Sequence, residues 1–496
     1  MSLGAFVKNI QNIMRGDSGV NGDAQRIEQL TWLLFLKIYA KKEEDWELFD
    51  ENYKSILPEE CKWENWAVDD ADGKSLTGDK LLEFVNEKLF KQLKEIKLSA
   101  DAPMKHKILR DVFVSTNQYM KDGVLLRQLI NEINKIDFDN IKELHAFGEI
   151  YETILKSLQS AGNAGEFYTP RAVTDFIVEM VNPKLGETVA DFACGTGGFL
   201  TSTLNHLEKN MKNTEDRTQY NNAIYGIEKK PLPHLLCVTN MLVHDIDNPA
   251  IYNANSLERN VREYKDNEKF EVILMNPPYG GAEGEQIKNK FPADLRSSET
   301  ADLFISLIMY RLKENGRAAV IIPDGFLFGL DNAKVAIKKK LFSEFNVHTI
   351  IRLPASVFAP YTSITTNIIF FDNTGTTKET YFYRLDMPEE YKHFSKTKPM
   401  KLEHFADCIK WWNDRCDIQD EETDTYKAKV YTLEEIVNRN YDIDLCGYPT
   451  VEEEVLSPEE TILEYKEKRA TLNTKIDKKL QEIENILGVK LCLQIN

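Results

Sequence analysis

Seven short apolar runs, spaced by stretches of helical periodicity, constrain the middle of this chain more than anything else in it. They are Thr188–Phe192, Ala223–Ile227, Ile251–Ala254, Phe270–Met275, Ala318–Ile322, His348–Leu353 and Thr366–Phe371. Runs of this length, bounded by turn residues, read as buried strands. Strands that alternate with helices bury their apolar faces as a parallel sheet covered on both sides. The pattern predicts an α/β domain over residues 151–375. It says nothing about strand order.

The flanks read differently. Residues 1–150 form a predicted helical domain: Ala24–Lys42 carries Ile27, Leu30, Leu34 and Ile38 on one face, and Leu81–Leu93 repeats the spacing. Residues 376–450 are a mixed extension, with the run T-Y-F-Y-R-L as a further strand and Trp411-Trp412 as packing residues. Residues 451–496 read as one long helix. Ser457-Pro458-Glu459-Glu460 is its start signature and Gly488 its stop. Ile462, Tyr465, Leu472, Ile476, Leu480, Ile483 and Leu487 form a seam along it, interrupted by Arg469. A seam of about 45 Å packs on its own domain or on the helix of another subunit.

No apolar run reaches the ~18 residues of a membrane span, and Met1–Ile10 lacks a signal-peptide layout, so a cytoplasmic protein without a membrane is expected. The seven cysteines are scattered and never spaced C-x-x-C, which predicts reduced thiols and no metal site. The net charge of −18 disfavours tight nucleic-acid binding by this chain alone, because phosphate contacts need Lys and Arg.

Two segments suggest a nucleoside ligand. Asp191-Phe192-Ala193-Cys194-Gly195-Thr196-Gly197-Gly198 follows the first strand and opens a helix; its glycines allow close backbone approach and its acid accepts hydrogen bonds. Glu228 ends the second strand, where a carboxylate takes ribose hydroxyls. A G-x-G-G loop alone is weak evidence, and the full G-x-G-x-x-G is absent. Upstream, Glu166-Phe167-Tyr168-Thr169-Pro170-Arg171 leads into a helix, with Thr169 suited to the N-cap and Pro170 to the first turn. Downstream, the run Phe270–Met275 ends in Asn276-Pro277-Pro278-Tyr279. Read alone, that quartet is equally a strand followed by a stiff proline turn. It also offers an amide, a nearly partnerless carbonyl and an aromatic ring to one planar amino group.

The order F-Y-T-P, D-x-x-x-G-x-G-G, Y-G-I-E, N-P-P-Y resembles that of the amino-methylating DNA methyltransferases, and more narrowly the modification subunit of type I restriction–modification systems. The resemblance is most specific from about residue 150 to 371. It implies a Rossmann-like class I S-adenosylmethionine-dependent methyltransferase fold, with a seven-stranded sheet, an N-terminal all-α domain and a C-terminal long helix. Cofactor binding would then fall to Glu166, Phe167, Tyr168, Thr169, Pro170, Arg171, Asp191, Gly195, Thr196, Gly197, Gly198, Glu228, Asn255 and Ser256. Asn255-Ser256-Leu257 stands where the family usually has Asp-Ser/Thr-Leu, and Asp302-Leu303-Phe304 begins a helix that lines the pocket or simply packs. Asn276, Pro277, Pro278 and Tyr279 would carry the chemistry, and Phe358, with Tyr361 second, would join Tyr279 in stacking on the target base.

The implied reaction is methylation of adenine N6 in double-stranded DNA. Asn276 and the Pro277 carbonyl would accept the two N–H bonds of a base flipped out of the duplex. The loop Gly280–Thr300, with Lys288, Lys290 and Arg296, is expected to close over DNA. No recognition domain follows the last strand, so sequence readout is expected from a separate specificity subunit, with two copies of this chain per complex. A restriction subunit is a further partner that the resemblance allows. Glutamine or RNA amine methyltransferases sharing N-P-P-Y, and a non-catalytic scaffold, are the alternatives.

Overall fold

A central sheet runs through the computed structural model, which describes residues 3–69, 74–136, 151, 153, 168–395, 397–420 and 425–447, with scattered residues between 465 and 481. Its strands are β1 (Val189–Asp191), β2 (Ile224–Glu228), β3 (Ala250–Asn253), β4 (Phe270–Met275), β5 (Leu312–Pro323), β6 (Asn346–Arg352), β7 (Thr366–Asp372), β8 (Glu379–Arg384), β9 (Ile418–Asp420) and β10 (Thr425–Thr432). Their spatial order is β3-β2-β1-β4-β5-β7-β6-β8-β10-β9. β1 to β5 pair in parallel, while β7 runs antiparallel between β5 and β6.

The seven expected strands are present, and three more extend the sheet. β8 contains most of the T-Y-F-Y-R-L run and pairs in parallel with β6, and β10 and β9 follow antiparallel. β5 also starts earlier than the apolar pattern indicates, at Leu312. Its first half, Lys313–Gly316, is polar and accommodates a register shift against β4, so periodicity cannot detect it.

Side chains alternate across the sheet as a strand period of two requires. Ile273, Val320, Ile350 and Ile369 face one core with Leu303, Leu307, Ile337 and Leu341. Val272, Ala319, Ile351 and Ile368 face the other with Val173, Phe176 and Ile177. Trp411 packs on Tyr383 and Trp412 on Phe370, at ring centroid distances of 4.7 and 4.8 Å.

The helical region contains α1 (Leu3–Arg15), α2 (Asp23–Phe49), α3 (Met104–Ser115) and α4 (Gly123–Asn134). The Leu81–Leu93 segment is helical with a π turn over Phe84–Leu89. Trp32 on α2 is fully buried and meets Phe90 and Phe113 edge-on. The sheet is flanked by α5 (Arg171–Val181), α6 (Gly198–Glu208), α7 (Pro231–Val243), α8 (Thr300–Arg311) and α9 (Asn332–Glu344). Lys42 of α2 reaches Asp247, which follows α7, at 3.1 Å. No described helix is long and apolar enough to cross a membrane.

Residues 448–496 form a separate unit. Its described residues between 465 and 481 are helical, and Tyr465, Ile476 and Leu480 are exposed there. The rest of the predicted C-terminal helix, including Ile462, Leu472, Ile483 and Leu487, lies outside the described residues.

Candidate active site

Strand order reverses between β1 and β4, and in open α/β sheets ligands bind beyond the carboxyl ends of the strands at such a point. Four chain segments meet there. The first is the glycine loop after β1. Gly197 adopts φ +82°, and a Cβ on it would lie 2.9 Å from Cys237 Sγ and 3.1 Å from Met241 Cε. Only glycine fits both the backbone and the space. α6 begins at Gly198, so its N-terminus faces the cleft.

Asp191 ends β1, and its Oδ1 accepts the Ala193 N–H at 3.0 Å. Burial pushes its carboxyl up to about 8, with the nearby Glu228 charge adding to the rise. Glu228 ends β2 and accepts two backbone N–H bonds, from Gly195 at 3.0 Å and from Lys230 at 2.6 Å. After β3, the Ser256 hydroxyl donates to the Phe192 carbonyl at 2.6 Å. Asn255 Oδ1 accepts the Leu257 N–H at 3.1 Å. Ser256 thus braces the glycine loop.

The fourth segment follows β4. Asn276 is half-buried, Pro277 buried, Pro278 exposed and Tyr279 half-buried. Asn276 Nδ2 donates to Thr169 Oγ1 at 3.1 Å, and the Tyr279 hydroxyl donates to Asn276 Oδ1. The Tyr279 and Phe358 rings meet edge-on, with centroids 6.2 Å apart. Tyr361 sits on the turn after Phe358, its N–H bonded to the Phe358 carbonyl at 3.0 Å.

One cleft is lined by Thr169, Asp191, Gly195, Gly198, Glu228, Asn255, Ser256, Asn276 and Pro278 from the expected set. Tyr168, Pro170, Arg171, Thr196 and Gly197 do not border it, nor do Pro277, Tyr279, Phe358 and Tyr361; Tyr168, Pro170 and Thr196 are buried. Glu166 and Phe167 lie outside the described residues. Helix α5 begins at Arg171 with Pro170 as its cap and no side-chain cap bond, so Thr169 is not the N-cap expected from its residue type.

Several lining residues carried no signal in the motifs. Gly281, Ala282, Glu283 and Thr300 border the cleft. They belong to the loop after the quartet, whose ends pair through Thr300 N–H to the Gly281 carbonyl at 3.0 Å and Glu283 N–H to the Ser298 carbonyl at 3.0 Å. Phe304 lines the cleft, whereas Leu303 is core and Asp302 is buried against Ser297 and Lys334. Within the loop, Lys288 pairs with Glu285 and Arg296 bonds the Phe291 carbonyl.

The cleft joins three acidic side chains, a glycine cradle and a helix N-terminus, and it opens on an amide whose oxygen accepts the Tyr279 hydroxyl. Such a donor set suits a ribose-bearing cation. Asp191, Glu228 and Glu283 favour positive charge, and Glu228 offers two oxygens for vicinal hydroxyls. Among the described residues no group of three His, Cys, Asp or Glu is placed to hold a metal.

Two family models match the chain: N-6 DNA Methylase over residues 142–455 and HsdM N-terminal domain over residues 3–133. The chain is 46% identical over 493 residues to the type I restriction enzyme EcoEI methylase subunit of Escherichia coli, covering 99% of each. A modification subunit of a putative type I restriction enzyme from Vibrio vulnificus superposes with a TM-score of 0.75 at 39% identity, over 88% of this chain and 92% of that one. A chain from a type I R-M system solved to describe complex assembly and conformational transition gives a TM-score of 0.79 at 33% identity, over 97% and 98%.

Proposed function

This chain belongs to the N-6 DNA methylase family as a type I restriction–modification methylase subunit, and from that we infer that it methylates N6 of an adenine flipped out of duplex DNA. The observation that carries this reading is one cleft bordered both by the Glu228 and glycine-loop cradle and by Asn276. Cofactor site and amine acceptor are therefore neighbours.

S-adenosylmethionine fits the cradle and would supply an electrophilic methyl group on a sulfonium. Glu228 would hold its ribose hydroxyls, the backbone of Gly195–Gly198 would allow its close approach, and Asn255 and Phe304 would border its base. Asp191 and Glu283 would complement its positive charge.

The remaining work belongs to Asn276, Pro277 and the rings. An adenine N6 lone pair is delocalised into the purine and is a weak nucleophile. Asn276 Oδ1 and the Pro277 carbonyl would accept its two N–H bonds and favour a more tetrahedral nitrogen. Positive charge grows on that nitrogen as the bond to carbon forms, so both acceptors act more strongly in the transition state. Tyr279 and Phe358, which meet edge-on, would part for a base to stack between them. Tyr361 would border the same pocket.

Sequence choice would lie with a separate specificity subunit, with two copies of this chain per complex and a restriction subunit as a further partner. The −18 charge supports this division, because the grip on phosphate must come largely from elsewhere. We assign residues 1–150 to a helical domain, 151–375 to the methyltransferase core, 376–450 to its extension and 451–496 to a docking helix.

The test is transfer of labelled methyl from cofactor to DNA by the purified chain, with and without its specificity subunit. Label in DNA that needs the partner and is lost in Asn276→Ala is the expected result. Label in a protein instead of DNA, or equal transfer by Asn276→Ala, would overturn the reading.

A further inference from the structure

We propose that Thr169 is a positioning residue for the Asn276 amide: its hydroxyl engages the amide nitrogen so that the carbonyl oxygen faces the target amine. The inference rests on the reading that Asn276 receives that amine. It gives Thr169 a role in the chemistry, beyond lining the cofactor cleft.

The two residues are 107 positions apart, yet Asn276 Nδ2 donates to Thr169 Oγ1 at 3.1 Å. Thr169 is free to do this because it does not cap α5; Pro170 holds that position and no side chain bonds the helix N-terminus. Elsewhere the chain uses such residues differently. The Thr432 hydroxyl accepts the Glu435 N–H, and Asp331 accepts the Lys334 N–H, each capping its helix. At 169 the hydroxyl instead reaches across to the end of β4.

Both backbones that carry the pair are stiff. Pro170 follows Thr169 directly, and α5 is anchored by the fully buried Val173, Phe176 and Ile177. Pro277 follows Asn276, at the end of a strand whose last four side chains are fully buried. The hydroxyl and the amide are thus held at fixed positions by two independent elements.

An asparagine amide needs such a partner. Its χ2 is a soft torsion with two nearly isosteric ends, one accepting and one donating. An amide turned the wrong way would set its N–H bonds against those of the target amine. With the oxygen facing the amine, the Nδ2 end points into protein and needs an acceptor there. Thr169 Oγ1 is that acceptor. The Tyr279 hydroxyl bonds the oxygen end, and the amine would take its place. Without the Thr169 hydroxyl, a part-buried donor would be left without its protein acceptor in the productive orientation.

The experiment uses this chain assembled with its specificity subunit and compares Thr169→Val, Thr169→Ser and Asn276→Ala. Valine keeps the shape of threonine and removes the hydroxyl. At saturating cofactor and DNA, Thr169→Val should lower the single-turnover methylation rate about 10- to 100-fold. Thr169 borders the cofactor cleft, so its cofactor Kd can rise, but the rate is read at saturating cofactor and the loss should persist there, while Thr169→Ser should recover most of the rate. Cofactor binding that saturates at wild-type stoichiometry reports that the valine variant is folded.

A wild-type rate in Thr169→Val would overturn the proposal, as would serine performing no better than valine. A loss residing wholly in cofactor affinity would assign Thr169 to the cofactor alone and overturn it too. Asn276→Ala separates the role of the amide from that of Thr169. If it retains full transfer, the reading of the site has failed. If it is inactive while Thr169→Val is unimpaired, only the positioning role has failed.

Discussion

Replacing Asp191 by asparagine should make the protein's thermal stability less sensitive to pH between 6 and 8. Asp191 is 2% exposed, and burial pushes its carboxyl from the ordinary 3.8 to about 8, with the Glu228 charge adding to the rise and the Ala193 N–H opposing it. The folded chain therefore holds a proton that the unfolded chain releases above pH ~4. Stability falls as pH rises from there, by about 1.4 kcal/mol per pH unit, until the folded group ionises near 8 and the fall stops. From pH 6 to pH 8 the loss from this one group is about 2 kcal/mol. In a chain of this size that corresponds to roughly 2–4 °C in Tm. The assay is a melting scan of both proteins at each pH. The Tm of Asp191→Asn minus that of wild type should grow by this amount from pH 6 to pH 8. A cationic cofactor favours the ionised form, so the rise in Tm that S-adenosylmethionine produces should increase with pH in wild type and stay level in Asp191→Asn. A Tm difference that does not change with pH would refute the argument.

Three other substitutions address separate parts of the site. Gly197→Ala adds a Cβ at φ +82° and within 2.9 Å of Cys237 Sγ, so it should cost about 2 kcal/mol or more in chemical denaturation and weaken cofactor binding measured by calorimetry at least about tenfold. Tyr279→Ala should raise the KM for DNA roughly 5- to 100-fold by removing a base stack. Tyr279→Phe keeps the ring and should stay within about threefold. Lys334→Met removes the cation within 2.6 Å of Glu299 and 3.1 Å of the buried Asp302, and should destabilise the fold by about 3 kcal/mol. It should also raise protease sensitivity in the loop between Gly281 and Thr300.

Much of this was legible in the sequence because it is local. Seven apolar runs marked seven strands, with Phe270–Met275 placed to the residue. The glycine loop, Glu228 and Asn276 could be assigned to strand ends because function there depends on residue type at a turn. What escaped depends on pairing between distant segments. The order β3-β2-β1-β4-β5-β7-β6 and the continuation through β8, β10 and β9 are long-range contacts with no local trace. The polar start of β5 hid half of that strand. Only the capping expectation for Thr169 fails, because capping residues are recognised by type and spacing, whereas its hydroxyl bonds Asn276 across the fold. Glu283 and Thr300 border the cleft because the loop closes on itself through paired backbone groups, which composition does not reveal.

Everything proposed for Asn276 depends on the amine it faces being the N6 of a DNA adenine. The most direct measurement is mass spectrometry of the nucleosides released from unmodified duplex DNA after exposure to this chain with its specificity subunit and S-adenosylmethionine. N6-methyladenine should be the one new methylated nucleoside, absent when Asn276→Ala replaces wild type. Methyl groups on cytosine, or N6-methyladenine formed equally well by Asn276→Ala, would contradict it.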